Sequence, residues 1–221
     1  MPKTNNRIIS VSQDENKYIL KYLEGMGIER IESIQTFKSR KNWFQPDDGN
    51  IPDAFMMYLC QSGHKIIINS AKVNCTNNVH RLYLKNKLPN YKIRLITISM
   101  MSSFSQLSCE LTGREYGSGA LKLEPTLAKA INILVPDASF QSINSCFNKI
   151  NTYLENSDLV NAISSADAFI VKHSKIDGVE DKLKSCNKMF LNRLHKRLNT
   201  RKSYCIVNNI TELFNKKVCH E

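Results

Sequence analysis

Apolar residues recur at helical spacing near the start of the chain and over most of its last third. In "SQDENKYILKYLEGMG", Ser12 precedes Glu15 at capping-box spacing and apolar residues follow at helical intervals, which predicts a first helix. Three further helices are predicted, at 140–154, 159–171 and 179–199. In the last of these, an apolar stripe with charged residues on the other faces, Arg197 among them, predicts one buried side.

A different pattern fills the middle of the chain. "AFMMYLC", "KIIINS" and "VHRLYL" are short runs of apolar, β-branched or aromatic residues between turn-forming segments, and they predict neighbouring strands. A strand is also predicted at 31–37. The segment "YKIRLITISMMSSFSQLSCELTG" begins like a strand, but its length favours a helix. After it, "LKLEP" alternates as a strand does, and a short helical stretch is predicted to end at Val135-Pro136.

These elements predict an α/β (α+β) fold, with a mixed or antiparallel sheet, packed helices and a mostly helical C-terminal part. We place a boundary near residue 138. Residues 1–138 would form an α/β domain, and residues 139–221 a helical extension that packs on it. A chain of 221 residues is long enough to bury a core without a metal or disulfide.

The charge of the chain favours an anionic partner. Lys and Arg number 31 against 20 Asp and Glu, which gives a formal charge of +11 and makes nucleic acid the first candidate. No acidic residue occurs between residues 54 and 109, so the cations of this stretch are a candidate phosphate-facing surface. They are Lys65, Lys72, Arg81, Lys85, Lys87, Lys92 and Arg94. The alternative is a composition set by an AT-rich genome, with these cations as ordinary surface residues.

Cysteine usage and hydropathy point to a cytoplasmic protein that is not embedded in a membrane. Seven cysteines without paired short spacing predict free thiols in a reducing compartment. The first residues lack the apolar core of a signal peptide, and the longest charge-free stretch near mid-chain is too short to span a bilayer. Four residues superficially resemble a zinc knuckle, but their spacing is not a common finger spacing, and we expect no metal. They are Cys60, His64, Cys75 and His80.

A glycine-rich segment, "LTGREYGSGALKLEP", is the most specific candidate for binding chemistry. Its glycines permit positive φ and let main-chain amides approach a bulky anion. They are Gly113, Gly117 and Gly119. Arg114 would supply charge, Tyr116 would stack or donate a hydrogen bond, and Lys122 would leave the next strand opposite Leu121 and Leu123. The alternative is a tight turn with an exposed arginine. Neither a dinucleotide-binding nor a Walker glycine pattern is present.

Two other segments carry residue types that contact DNA. In "NSAKVNCTNNVHR", amide side chains suit adenine and Arg suits guanine, although a polar turn is the alternative. The candidates there are Asn69, Lys72, Asn74, Asn77, Asn78, His80 and Arg81. In "SRKNWF", basic and aromatic side chains would position a backbone and stack a base, unless the tryptophan only anchors the loop. The candidates there are Arg40, Lys41 and Trp43.

The order of these motifs resembles a known family. "GREYGSGALKLEP" followed by "ILVP" is similar to the GRxYGGGxLxLEPxE…LPxP signature of the C-terminal target-recognition region of adenine-specific DNA methyltransferases from restriction-modification systems. Upstream, "SRKNWF", "IPDAFMMYL" and "TNNVH" resemble that region's RxPWY, PDxF and TNxxH motifs. Four positions depart from the family pattern, namely Asn42, Phe44, Ser118 and Leu127.

The resemblance implies that the chain recognises double-stranded DNA on behalf of a catalytic methyltransferase domain or subunit. The catalytic half of such enzymes carries an Asn-Pro-Pro-Tyr motif and a loop for S-adenosylmethionine. No Asn-Pro pair occurs in this sequence, so we expect no catalytic or cofactor-binding residue here and S-adenosylmethionine in the partner. The alternatives are a stand-alone DNA-acting enzyme, such as a nuclease using Glu110, Glu115 and Glu124 or an atypical methyltransferase, and a non-functional remnant of a methyltransferase gene.

Overall fold

A computed structural model describes residues 17–25, 27–38, 40, 43, 49–75, 78–84 and 89–199. The chain divides into two compact units, residues 1–51 and residues 52–221. The predicted capping box and the predicted contacts of Lys41 and Asn77 lie outside the described residues.

The described residues of the first unit form three short helices: α1 (Lys17–Glu24), α2 (Ile28–Ser33) and α3 (Gln35–Lys38). The predicted first helix is confirmed as α1. The strand predicted at 31–37 is wrong, because this segment is helical. Its apolar residues Ile31, Ile34 and Phe37 recur every three positions, which places them on one side of a helix and not on one face of a strand.

The second unit begins with β1 (Ala54–Met57), β2 (Leu59–Cys60), β3 (Ile66–Ile68) and β4 (Val79–Leu82). Strand β1 pairs antiparallel with both β3 and β4, and we call this three-stranded group the first sheet. The second sheet has the order β2-β6-β5, where β5 is Arg114–Tyr116 and β6 is Ala120–Lys122. The strands predicted within the second unit are confirmed. The run "AFMMYLC", predicted as one strand, forms β1 of the first sheet and β2 of the second sheet.

Helices make up most of the remaining chain. The ambiguous middle segment is helical, as predicted, but it forms two helices, α4 (Asn90–Met100) and α5 (Ser103–Thr112), with the Ser102 side chain capping the second. The stretch predicted to end near 135 is only the four-residue α6 (Pro125–Ala128). The three predicted C-terminal helices are confirmed as α7 (Phe140–Glu155), α8 (Leu159–His173) and α9 (Val179–Asn199). The predicted mixed α/β fold class is therefore confirmed. Among the described residues, no helix combines the length and apolar character needed to cross a membrane.

Two of the three apolar clusters in the described part of the second unit pack its helices and sheets together. Helices α4, α5, α7, α8 and α9 bury a large cluster around Ile98, Phe169 and Phe190. A smaller cluster joins Met56 of the first sheet to Leu121 of the second sheet, against residues of α4 and α5. Because one face of each sheet covers this smaller cluster, the opposite faces of both sheets are turned away from it.

Candidate nucleic-acid interface

Three of the residues predicted in the glycine segment lie together on the second sheet. Arg114 and Lys122 are partners in the β5–β6 register. Both cations contact Glu124: Arg114 Nη1 lies 3.5 Å from Oε2, and Lys122 Nζ lies 3.3 Å from Oε1. Lys122 Nζ also lies 5.6 Å from the centre of the Tyr116 ring and 5.3 Å from that of Tyr58. We call these five residues the Arg114 cluster.

The Arg114 cluster offers charge and an aromatic ring to solvent. The Arg114 side chain is 68% exposed, and Tyr116 is 60% exposed. Hydrogen bonds with Tyr58 and Glu124 raise the pKa of Lys122, so Lys122 stays protonated near neutral pH. Lys122 leaves β6 opposite the buried Leu121 and Leu123, as predicted. Two cations and one carboxylate therefore leave a net positive charge beside an exposed tyrosine.

The glycines of the loop serve close internal packing. A short 3₁₀ turn, Gly117–Gly119, joins β5 to β6, and of the three predicted glycines only Gly119 has a positive φ, 74°. A Cβ at Gly119 would lie 3.2 Å from the carbonyl oxygen of Arg197, and one at Gly113 would lie 2.8 Å from the Leu121 side chain. Gly119 thus uses the positive φ that glycine permits. The bare backbone at positions 113 and 119 is required by neighbours inside the protein.

Arg197 contacts this loop from the last turn of α9. Its Nε and Nη2 donate to the two carboxylate oxygens of Glu110 at 3.0 and 2.6 Å, and both side chains are almost fully buried. Nη2 also donates to the Gln61 carbonyl oxygen at 2.9 Å, and Nη1 donates to that of Gly119. The prediction that Arg197 lies on a charged outer face is wrong. Its partners are 78 to 136 residues away in sequence, so helical periodicity carries no sign of them.

Two candidates in the asparagine-rich segment are engaged in holding the fold. Asn69 is 3% exposed, and its Nδ2 donates to the carbonyl oxygens of Pro52 and Val73, both at 2.8 Å, while its Oδ1 accepts from the Val73 N–H. A base could reach Asn69 only if this turn opened. His80 Nε2 donates to the Leu123 carbonyl oxygen at 2.6 Å and so links the two sheets. We therefore leave Asn69 and His80 out of the interface proposed below.

The other described candidates of this segment are more accessible. Lys72, Asn78 and Arg81 are exposed, and Lys72 adopts a positive φ of 53° in the turn that follows β3. Arg81 Nη1 donates to the Asn74 Oδ1 at 3.3 Å, which aligns the guanidinium beside the turn. Arg81 shares a face of the first sheet with its register partner Phe55. This face is opposite to the one that carries the buried Met56.

Of the cations in the acid-free stretch, Lys85 and Lys87 lie outside the described residues. Lys92 and Arg94 lie on α4, which packs against β3. Arg94 donates to the Asn144 side chain of α7 and lies 5.3 Å from the Phe147 ring. Its guanidinium is thus part of the contact between two helices. The prediction that the whole stretch forms one phosphate-facing surface stays a prediction.

In the first unit, the tryptophan ring lies against an aromatic ring of α3. The Trp43 ring lies 5.3 Å from the ring of Phe37 in α3. Arg40 Nη1 donates to the Trp43 carbonyl oxygen at 3.3 Å, and its guanidinium lies 5.9 Å from the Phe37 ring. Arg40 is exposed, so its remaining donors can still meet a phosphate.

The residues of the zinc-knuckle pattern have other roles. Cys60 Sγ lies 3.2 Å from His64 Nδ1, whereas Cys75 Sγ donates to the Val79 carbonyl oxygen. Burial raises the pKa of Cys60 to about 12 and, with the nearby positive charge of Arg197, lowers the pKa of His64 to about 4. The pair is therefore a neutral thiol and a neutral imidazole near pH 7. Across the part of the chain that the structure describes, no three His, Cys, Asp or Glu side chains are grouped to hold a metal. The five cysteines described are free thiols.

The glutamates considered for a nuclease do not share a site. Glu110 is buried in its pair with Arg197, and Glu124 pairs with Arg114 and Lys122. Glu115 is exposed on β5. Two of the three carboxylates are thus engaged by cations of the protein itself.

Comparison with known proteins assigns the class of the chain. Residues 3–171 match the model of a family described as the C-terminal domain of the type II methyltransferase M.Eco57I. Since the match covers most of the sequence, the chain belongs to this family of type II methyltransferase C-terminal domains. No curated protein and no solved structure matches the chain.

Proposed function

We propose that this chain is the DNA target-recognition part of an adenine-specific DNA methyltransferase of a restriction-modification system. It would act with a catalytic domain or subunit that binds S-adenosylmethionine. Family membership supports the methyltransferase assignment. The observation that carries the DNA-binding role is the Arg114 cluster, an exposed arginine and tyrosine beside a lysine held in its charged form.

The chemistry of the Arg114 cluster suits a base edge or a phosphate. The guanidinium of Arg114 presents a planar fork of donors that matches the O6 and N7 acceptors of guanine, or two phosphate oxygens. One of its nitrogens is oriented by Glu124, which leaves the other donors for a ligand. Tyr116 adds an exposed ring for stacking or a hydroxyl for hydrogen bonding.

Other exposed cations would hold the duplex in place. Lys72 and Arg81 lie at the first sheet, with Asn78 exposed in the turn before β4. Contacts to phosphates fix the register and orientation of a protein on DNA, whereas contacts to base edges read the sequence. We therefore assign phosphate contacts to Lys72 and Arg81, and we retain Arg40 as a further candidate in the first unit.

Methyl transfer itself would take place on the partner. A methyltransferase must extrude its target adenine from the duplex into a pocket beside the cofactor. This chain has no Asn-Pro sequence with which to build the pocket implied by the family resemblance. In the proposed complex, the chain supplies the register and the partner supplies the base pocket and S-adenosylmethionine.

A binding experiment on the full chain tests the DNA-binding role. A preferred duplex is selected by the wild-type chain from a randomised library, and its affinity is measured by fluorescence anisotropy over a salt series. Arg114→Ala should weaken binding by about 1 to 3 kcal/mol if Arg114 reads a guanine. If Arg114 only meets phosphate, the variant should instead lower the salt slope by about 1 for all duplexes. Lys175→Ala, at an exposed lysine between α8 and α9, is the matched control.

Several results would contradict the proposal. Unchanged binding by Arg114→Ala would remove the Arg114 cluster from the interface. A wild-type chain that binds no duplex at low salt would favour a non-functional remnant. Methylation of DNA by the chain alone with S-adenosylmethionine, or cleavage with Mg²⁺, would favour a stand-alone enzyme.

A further inference from the structure

Arg197 joins three separate segments of the second unit to the end of α9. The guanidinium donates to Glu110 of α5, to the carbonyl oxygen of Gln61 after β2, and to that of Gly119 in the loop between β5 and β6. The Arg197 side chain is 1% exposed and that of Glu110 is 4% exposed. A buried charge is tolerated only when it is paired and hydrogen-bonded, and Arg197 meets both conditions.

The shape of the guanidinium matters as much as its charge. The carboxylate of Glu110 is sufficient to neutralise the charge of Arg197. Two further hydrogen bonds of the guanidinium nevertheless reach backbone carbonyls on other segments. A planar fork with five N–H donors can make these contacts at once, whereas a lysine ammonium is a single compact charge on a flexible stem. The two carbonyl contacts are therefore specific to arginine at this position.

The bond to Gly119 fixes a loop whose neighbours form the Arg114 cluster. Gly119 lies three residues after Tyr116 and three residues before Lys122. The backbone of α9 also lies close to the loop. A Cβ added at Gly119 would lie only 3.2 Å from the Arg197 carbonyl oxygen. The orientation of this loop sets where the Tyr116 ring lies relative to Lys122, which it now meets at 5.6 Å.

We propose that Arg197 is a positioning residue for DNA recognition: it holds the Gly117–Gly119 turn so that Arg114 and Tyr116 are presented together. This inference rests on the proposed function. Arg197 lies beyond residue 171, where the match to the family ends. The positioning contact thus comes from a helix outside the matched part of the chain.

The test compares Arg197→Lys with Arg193→Lys, the same substitution at an exposed position of α9. Two quantities are measured for each full-length variant. One is the ratio of affinities for the duplex selected by the wild type and for a scrambled duplex of equal composition. The other is amide hydrogen exchange in peptides covering residues 113–122. For Arg197→Lys we expect faster exchange in this segment and at least about a fivefold loss of discrimination. Arg193→Lys should match the wild type in both.

A second variant separates positioning from folding. Glu110→Met combined with Arg197→Met removes both partners of the buried pair and leaves no unpaired charge, so it should fold if the ion pair is not essential. It should lose discrimination as Arg197→Lys does, while affinity for the scrambled duplex is kept. Loss of folding in both variants would assign Arg197 to the stability of the unit and overturn the proposal.

The remaining outcomes distinguish this inference from the proposed function. If the wild type discriminates and the folded variants discriminate equally well, Arg197 has no positioning role, and the proposed function still holds. Faster exchange without loss of discrimination would likewise overturn the inference alone. If the wild type binds no duplex or prefers none, the proposed function fails, and the positioning role fails with it.

Discussion

Asp167 makes the free energy of unfolding of the second unit depend on pH, and one substitution should remove this contribution. Its Oδ1 accepts the Ser103 N–H at 2.8 Å, and so it ties α8 to the start of α5. Burial raises the pKa of Asp167 to about 6, against the lowering effect of its hydrogen bonds with Ser103. Asp167→Asn keeps an oxygen for the Ser103 N–H and removes the carboxylate that burial disfavours.

The sign and size of the effect follow from proton linkage. Between pH 3.8 and about 6, the folded chain binds more protons at Asp167 than the unfolded chain does, so the free energy of unfolding falls as pH rises. At about 1.4 kcal/mol per pH unit, the full shift corresponds to about 3 kcal/mol. Asp167 is only partly buried, so we expect a reduced effect. As pH rises from 4 to 7, the free energy of unfolding of Asp167→Asn should increase by about 1 to 3 kcal/mol relative to that of the wild type.

His64 contributes an opposite slope over nearly the same range. Its pKa is lowered from 6.5 to about 4, so the unfolded chain binds more protons there and stability rises with pH between these values. In the wild type the two slopes oppose each other. Asp167→Asn keeps the His64 slope alone, so its stability should rise more steeply with pH than that of the wild type between pH 4 and pH 6.5.

Urea unfolding at half-unit steps between pH 4 and pH 7 measures this difference. Asp137→Asn, at an exposed aspartate, is the control and should run parallel to the wild type. The reasoning is refuted if Asp167→Asn also runs parallel to the wild type, or if its advantage shrinks as pH rises.

Two further predictions concern the glycine loop and the buried thiols. Gly119→Ala should lower the free energy of unfolding by about 1 to 3 kcal/mol, because residue 119 has a φ of 74° and its Cβ would meet the Arg197 carbonyl oxygen; an unchanged urea midpoint would contradict the described loop. Cys60 and Cys146 should react slowly with iodoacetamide at pH 8 in the folded chain, because burial raises their thiol pKa to about 12 and about 11. Mass-spectrometric mapping tests this, and equal labelling of folded and unfolded chains would refute it.

Local periodicity was sufficient for the long elements. The helix predicted at 179–199 is Val179–Asn199, because an apolar stripe that includes Leu183, Phe190 and Leu194 is buried along its length. The strand predicted at 31–37 is wrong because the β-branched residues of this segment favour strands, whereas the three-residue spacing of its apolar residues fits a helix. Short elements carry too few positions for the pattern to separate the two structures.

Only part of the candidate site could be predicted from the sequence. Arg114, Tyr116 and Lys122 were identified because they surround a glycine-rich loop within a dozen residues. The pairing of Arg197 with Glu110 was not, because the two residues lie 87 positions apart in the sequence and meet only through tertiary packing. Glu110 is the only charged residue of α5, and a buried carboxylate in such a helix requires a distant cation to neutralise it, although the sequence does not say which one.

Under the proposed function, the electrostatics of the second unit favour a division between residues that read DNA and residues that hold it. In the Arg114 cluster, Glu124 offsets much of the charge of Arg114 and Lys122, so the cluster attracts a phosphate less strongly than two free cations would. The same carboxylate contacts Arg114 Nη1 at 3.5 Å and favours orientations of the guanidinium that keep this contact, which supports directional hydrogen bonding to a base edge. Lys72 and Arg81 lie in the stretch of the sequence that contains no acidic residue, between residues 54 and 109. Under the proposed function, the overall charge of +11 then brings the duplex to the protein, and discrimination depends on the few side chains whose geometry Glu124 and Arg197 constrain.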